Sequence, residues 1–327
     1  MVDIQTMIRS NGQLSSVEKP SVALFVGATS GIGLGVLREY ARLAVSPRIY
    51  VVARNPSAAA PILDELRTLN PKANFEIIDK NVSLIKDAEK VAEYVKAKES
   101  SLDLLFLSPG FVSLDGRQDT SEGFDASMTT RYYSRTIITQ ELIPLLNESQ
   151  NPRVVSILAG GKEGPVDEND LALNKPGKFS MASASYHSTT MNTLTLERFA
   201  SENPRISFVH AFPGLVDTPL LGRMKGGVLG ALLRYTAVPV VRLLSRSVSD
   251  AGHWGLFLAT SARYSVDDGI VPLTEGVKKA ARTPGGIFLV DEKGETADNE
   301  KFLGPLRQQG LEKRVRAHTE EVFASIR

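Results

Sequence analysis

Seven short apolar runs punctuate this chain, at 22–26, 49–53, 75–78, 102–107, 154–158, 206–211 and 287–290. Amphipathic stretches lie between them, at 32–43, 62–69, 85–97, 123–146, 185–201 and 250–259. The runs are nearly continuous in apolar residues rather than alternating, which is the pattern of parallel strands covered on both faces. Strand–helix repetition sustained along residues 22–290 predicts an α/β fold on a doubly wound parallel sheet, the Rossmann fold. The pattern does not restart, so one domain is expected over 21–295. A lead-in with a short helix precedes it at 1–20, and a charged surface helix follows in a C-terminal extension at 296–327. Two segments break the rhythm: a Gly/Pro/charged insertion at 160–180 and a long apolar excursion at 219–249.

Composition removes several function classes. The 38 basic residues nearly cancel the 37 acidic ones, so there is no basic surplus of the kind that nucleic-acid binding usually needs. Without cysteine, the chain has no disulfides, thiol nucleophile or thiolate ligands. Four scattered histidines leave no expectation of a metal site. The N-terminus lacks the apolar core of a secretory signal. The most apolar stretch, 226–241, is broken by Arg234 and Pro239 and is too short for a membrane span. The expectation is a soluble cytoplasmic protein.

After the first strand the chain reads Gly27-Ala28-Thr29-Ser30-Gly31-Ile32-Gly33 and enters the first long helix. Glycines let the backbone turn tightly and approach a pyrophosphate, while the helix N-terminus offers free N–H donors and partial positive charge. Glycines also serve ordinary turns, but the strand–turn–helix setting points to a dinucleotide.

This turn resembles the Gly-x-x-x-Gly-x-Gly turn of the short-chain dehydrogenase/reductase family, and the resemblance extends over most of residues 20–290. Asp79 stands where the family has an adenine-contacting Asp, and Ser108-Pro109-Gly110 where it has Asn-Ala-Gly. Tyr186 stands at the head of the helix that bears the family's catalytic Tyr. Pro213-Gly214-Leu215-Val216-Asp217-Thr218 is similar to the Pro-Gly-x-x-x-Thr segment that lies against the nicotinamide. The resemblance implies that Gly27, Thr29, Ser30, Gly31, Ile32, Gly33, Asp79, Ser108, Gly110, Pro213, Gly214 and Thr218 bind the cofactor. The lead-in and Leu158-Ala159-Gly160-Gly161-Lys162-Glu163 are similar to a fungal subgroup often attached to secondary metabolism.

The choice of dinucleotide rests on the end of the second strand, which reads Val52-Ala53-Arg54-Asn55 without an acid. A carboxylate there would bind the 2′-hydroxyl of NAD; a guanidinium pairs with the 2′-phosphate of NADP. Arg54 therefore points to NADP(H), the alternative being a solvated surface arginine.

The resemblance also implies a Tyr that moves a proton, a Lys four residues later, a Ser that holds the substrate oxygen and an upstream Asn. A free phenol has a pKa of about 10 and needs a cation nearby to act as a base near neutrality. Here Tyr186 is present, but the Lys position holds Thr190, the Ser position Ala159 and the Asn position Arg131. Arg131 is a candidate for the missing cation, with a structural ion pair as its alternative. Lys162, Lys175 and Lys178 are others if the insertion folds over the site, and Ser183 or Ser185 could offer a hydroxyl. His187 follows Tyr186, but adjacent residues of a helix face different ways.

The 219–249 excursion carries Leu220, Leu221, Met224, Val228 and Leu229 together with five basic residues and no acidic one. Its position in the family implies a substrate lid, and an apolar lid suits a small apolar substrate. A surface for a membrane or partner is the alternative. Two functional expectations stay open. One is an NADP(H)-dependent oxidoreductase acting on a carbonyl or alcohol, with catalytic Tyr186, Arg131 and Thr190. The other is a family member without ordinary redox turnover, an isomerase, cyclase or NADP-regulated binding protein. Homo-oligomers through the long helices are common in the family, although the C-terminal extension could block them.

Overall fold

The computed structural model describes residues 2–111, 115–219, 242 and 244–327. All seven apolar runs form strands: β1 Val22–Val26, β2 Arg48–Ala53, β3 Asn74–Asp79, β4 Leu104–Leu107, β5 Arg153–Ile157, β6 Ser207–Ala211 and β7 Phe288–Val290. They make one parallel sheet in the order β3-β2-β1-β4-β5-β6-β7. The chain builds outward from β1 in one direction to β3, then returns to start β4 on the other side. That reversal opens a crevice at the carboxyl ends of β1 and β4, where ligands of open α/β sheets bind.

Side chains alternate across the sheet, so each strand feeds two cores. Leu24, Val26, Leu105 and Leu107 join one core with α4 (Ile85–Lys96), α6 (Ser134–Asn147) and α7 (Met181–Glu202). Ala23, Phe25, Leu104 and Phe106 join the other, with α1 (Ile4–Gly12), α2 (Gly31–Leu43) and α8 (Val248–Thr260). On that second face α2 and α8 cross at Gly35 and Gly252. A methyl on Gly35 would lie 2.5 Å from the Val248 carbonyl oxygen, and one on Gly252 would lie 2.7 Å from the Gly35 carbonyl carbon. The backbones therefore touch, which holds the start of α2 rigidly against the fold.

Three helices differ from their sequence pattern. Helix α3 spans Pro56–Leu69 and starts six residues before its apolar periodicity, because Asn55 caps it through Ala58 N–H (3.1 Å) and Pro56 fits the first turn. Helix α7 begins at Met181, where Ser180 and Ser183 cap each other's N–H groups. The stretch at 123–146 is not one regular helix: α5 (Ala126–Met128) leads through a π turn at Thr129–Tyr133 into α6. Such turns favour functional sites, and this one carries Arg131.

The expected surface helix of the C-terminal extension is instead two helices, α9 (Glu300–Gln308) and α10 (Leu311–Ile326), separated at Gly310. Leu311, Val315, Val322, Phe323 and Ile326 are buried in the core beside α7. Its charges hide an apolar stripe at helical spacing, so α10 is a packed layer. Most of the 219–249 excursion, including Leu220, Leu221, Met224, Val228 and Leu229, lies outside the described residues. No helix among the described residues is long and apolar enough to cross a membrane.

Candidate active site

The carboxyl edge of the sheet gathers most of the residues singled out above. Gly27 follows β1 with φ +79°, and a side chain there would collide with the backbone of Ser108 and Pro109 (2.6 Å to Pro109 Cα). The Gly33 position is closed in the same way, since a methyl there would lie only 2.5 Å from the Gly27 carbonyl oxygen. Ser108 locks this contact by donating its hydroxyl to the Gly27 carbonyl (3.0 Å). Gly110 faces open space. Ser30 is the N-cap of α2, yet no side chain caps that terminus. The first N–H groups of α2, those of Gly31, Ile32 and Gly33, thus head a helix whose N-terminal charge has no side-chain acceptor among the described residues. Thr29 and Ser30 are half-buried beside them.

The Pro213-Gly214 segment reaches the same turn from the other side of the crevice. A methyl on Gly31 would lie 3.1 Å from Thr218 Cγ2, so the segment's threonine rests on the turn itself. Gly214 has φ +68° and packs on Glu292. The segment is pinned just before Thr218 by paired backbone bonds between Leu215, Asp217 and Arg246 (2.9 Å each). Arg54 is exposed at the end of β2, and no carboxylate lies within ion-pair distance of it among the described residues. Asp79 ends β3, exposed and opposite Ala53 in register.

Tyr186 is 45% exposed near the head of α7. Its ring packs against Gly164, where any side chain would overlap it. Thr190, in the lysine position, is fully buried and turned to the same backbone. Its hydroxyl donates to the Gly164 carbonyl (2.8 Å) and accepts the Gly164 N–H (3.1 Å). The space a lysine would need is filled by the insertion. His187 also serves the insertion: Nε2 accepts the Asp167 N–H (2.9 Å), which leaves the proton on Nδ1, facing the Leu171 carbonyl (3.3 Å). Burial pushes its pKa below the usual histidine value.

Arg131 extends from the π turn onto the adjacent face of α7. Its Nε donates to Ser188 Oγ (3.0 Å) and Nη2 to Ser185 Oγ (3.0 Å). Burial lowers its pKa, and no acid offsets this. It lines a small recess with Phe111, Gln118, Asp125, Phe179 and Met181. The insertion lysines Lys162, Lys175 and Lys178 are all exposed, and Lys162 Nζ lies 5.3 Å from the centre of the Phe212 ring, next to Pro213.

Sequence reasoning passed over two groups. Arg135, one turn after Arg131, is wholly buried and donates to Ser156 Oγ (2.8 Å) and to the carbonyls of Leu107 (3.1 Å) and Pro109 (2.6 Å). It thereby holds the β4 turn on which Gly27 rests. An arginine set between Tyr132-Tyr133 and Ile137-Ile138 is the available signal. The second group is a buried chain in which Asn299 Nδ2 donates to Glu163 (2.7 Å), Thr193 Oγ1 donates to Glu163 (2.7 Å), and Thr193 meets His210 Nδ1 (2.9 Å). Four elements distant in sequence build it, so no local spacing reveals it.

Residues 21–225 match the family model described as short chain dehydrogenase. The NmrA-like family domain-containing oxidoreductase notO of Aspergillus sp. (strain MF297-2) is 44% identical over 99% of this chain and 96% of its own. Oxidoreductase andH of Emericella variicolor is 32% identical over 100% of this chain and 98% of its own. Among solved structures, the NADPH-bound carbonyl reductase from chicken fatty liver superposes with a TM-score of 0.55 at 18% identity, over 85% of this chain and 98% of that one. The 3-oxoacyl-[acyl-carrier protein] reductase of Brucella melitensis in complex with NAD gives 0.52 at 21%, over 74% and 90%. At such identities the solved structures bear on the fold alone.

Proposed function

The chain belongs to the short-chain dehydrogenase family and is an oxidoreductase of that type, and from this premise we propose that it uses NADP(H) to reduce a carbonyl, or oxidise an alcohol, on a small and largely apolar molecule of secondary metabolism. The observation that carries the proposal is the cradle at the carboxyl edge. An uncapped helix terminus, glycines with no room for a side chain, Thr218 on the turn and a carboxylate-free Arg54 fit a pyrophosphate and a 2′-phosphate. Gly27, Thr29, Ser30, Gly31, Ile32 and Gly33 would hold the pyrophosphate; Asp79, Ser108 and Gly110 the adenosine side; Pro213, Gly214 and Thr218 the nicotinamide side. The bound cofactor supplies or accepts the hydride.

Tyr186 moves the proton. In reduction its phenol protonates the carbonyl oxygen as the carbon accepts hydride; in oxidation it takes the alcohol proton. Its ring is fixed by Gly164, and its exposure leaves the hydroxyl open to a substrate. Thr190 acts on the site as a positioning residue, through Gly164. Arg131, held by the serines on either side of Tyr186 in the helix, is the cation of the site. The exposed Met181 and Leu215 give the crevice an apolar rim.

One observation favours a second reading. With Thr190 bonded to Gly164, the position that normally carries charge four residues from the phenol is neutral and sealed, as suits an isomerase, a cyclase or an NADP-regulated binding protein. Calorimetric titration with NADPH and NADH separates the possibilities. NADPH is expected to bind at least about tenfold more tightly, a difference of ~1.4 kcal/mol, and Arg54→Ala to erase the preference. A ketone screen then follows, with Tyr186→Phe expected to lose about 10²–10⁴-fold in turnover while keeping NADPH affinity. Binding without turnover of any ketone supports the second reading; binding of neither cofactor overturns both.

A further inference from the structure

Arg131 is a partly buried guanidinium with two neutral hydroxyls as its side-chain hydrogen-bond partners. No carboxylate lies within ion-pair distance of it among the described residues. The residues outside that set, 1, 112–114, 220–241 and 243, contain no Asp or Glu at all, so this chain has no other acid to neutralise it from there. Asp125 borders the same recess, but its two oxygens accept the N–H groups of Met128 (2.9 Å) and Gln118 (2.8 Å). Arg135 stands one helical turn away, itself satisfied by carbonyls and a hydroxyl, and adds a second positive charge. Even a partly buried charge without a counter-ion loses hydration that nothing in the fold returns. The recess therefore has a guanidinium without an ion-pair partner in its lining, where Phe111, Phe179 and Met181 are joined by the polar Gln118, Ser127 and Asp125.

We infer that the substrate of this site carries an anionic oxygen, bound by Arg131, on a flat apolar body that lies between Phe111, Phe179 and Met181. A planar guanidinium offers a fork of N–H donors that matches the two oxygens of a carboxylate, or of the enolate of a 1,3-dicarbonyl compound. Ser188 and Ser185 take the Nε hydrogen and one of the two Nη2 hydrogens, so Nη1 and the second Nη2 hydrogen remain as the fork for the ligand. The inference rests on the reading of this crevice as a substrate site and names the class of molecule that enters it.

The test uses 2-naphthoate, its neutral isostere 2-naphthamide and the enolisable 2-acetyl-1-tetralone as probes. Each is titrated calorimetrically into the full-length protein at neutral pH, with NADPH titrated into the same samples. Naphthoate is expected to bind about tenfold or more tightly than naphthamide, the ratio that a charge-assisted hydrogen bond supplies. Arg131→Gln is expected to abolish that ratio and Arg131→Lys to restore part of it. Binding of the tetralone in place of naphthoate, with the same dependence on Arg131, assigns the anionic oxygen to an enolate. Equal binding of acid and amide, a preference that survives Arg131→Gln, or binding by no probe overturns the inference. Retained NADPH binding in those samples leaves the cofactor reading standing. If Arg131→Gln does not fold, Arg131→Lys decides, since partial retention of the ratio requires a charge at this position.

Discussion

His210 is buried on β6 with Nδ1 against Thr193 and no hydrogen-bond partner for Nε2 among the described residues. Burial, reinforced by Arg135, pushes its pKa down to about 3. An unfolded histidine titrates near 6.5, so below that pH the unfolded chain takes up a proton that the folded chain refuses. Stability is complete above pH ~6.5 and falls as pH drops towards 3, by about 1.4 kcal/mol per pH unit from this group. His210→Gln is expected to flatten that acid limb, read as the difference in denaturant midpoint between pH 7 and pH 5. A second residue-level prediction concerns Thr190→Lys, which restores the residue type that the family has. The two bonds to Gly164 would be lost, at a cost of about 1–3 kcal/mol, and turnover is expected not to rise; a gain in turnover would show that the insertion yields its place. At this scale the cofactor residues are legible because each needs a local backbone feature. The fate of Thr190 is not, because a threonine in a helix says nothing about the loop that seals it. Arg131 is visible as a departure, but only the fold reveals that its partners are Ser185 and Ser188 rather than an acid.

Among the elements, the strands are readable because burial on both faces leaves an unbroken apolar run. Helix α7 is readable only in its middle: its first turn is Met181-Ala182-Ser183-Ala184, whose small residues carry no periodicity, and its start depends on the Ser180–Ser183 cap. The crossing of α2 and α8 escapes pattern reasoning altogether, since Gly35 looks like one more glycine of the phosphate turn. Its role is steric. Gly35→Ala is expected to force α8 away and to destabilise the fold by about 1–3 kcal/mol, and NADPH affinity is expected to fall with it, because α2 carries the phosphate turn at its head. Thermal unfolding and the same calorimetric titration measure both effects; unchanged stability would mean that the two helices separate easily.

The whole molecule is closed by its C-terminal layer. Arg307 of α9 makes a bidentate pair with Glu197 of α7 (2.7 and 2.8 Å) and a further bond to Glu300 (2.6 Å). Glu197 is buried, with Thr283 as its other partner (3.0 Å). Arg307→Leu would strand that carboxylate and is expected to cost about 3–5 kcal/mol, whereas Arg307→Leu with Glu197→Leu is expected to cost much less. A denaturant series on the two variants measures the difference, and equal losses would show that the pair is not the clasp. Across the molecule, Trp254 is the chain's only tryptophan and is fully buried in α8. Its ring lies 5.9 Å from the guanidinium of Arg246, the residue whose backbone anchors Leu215 and Asp217 beside the phosphate turn. The protein thus carries a built-in optical gauge: any rearrangement of that anchoring segment alters the surroundings of one indole, so the colour of its emission reports on the crevice without a label.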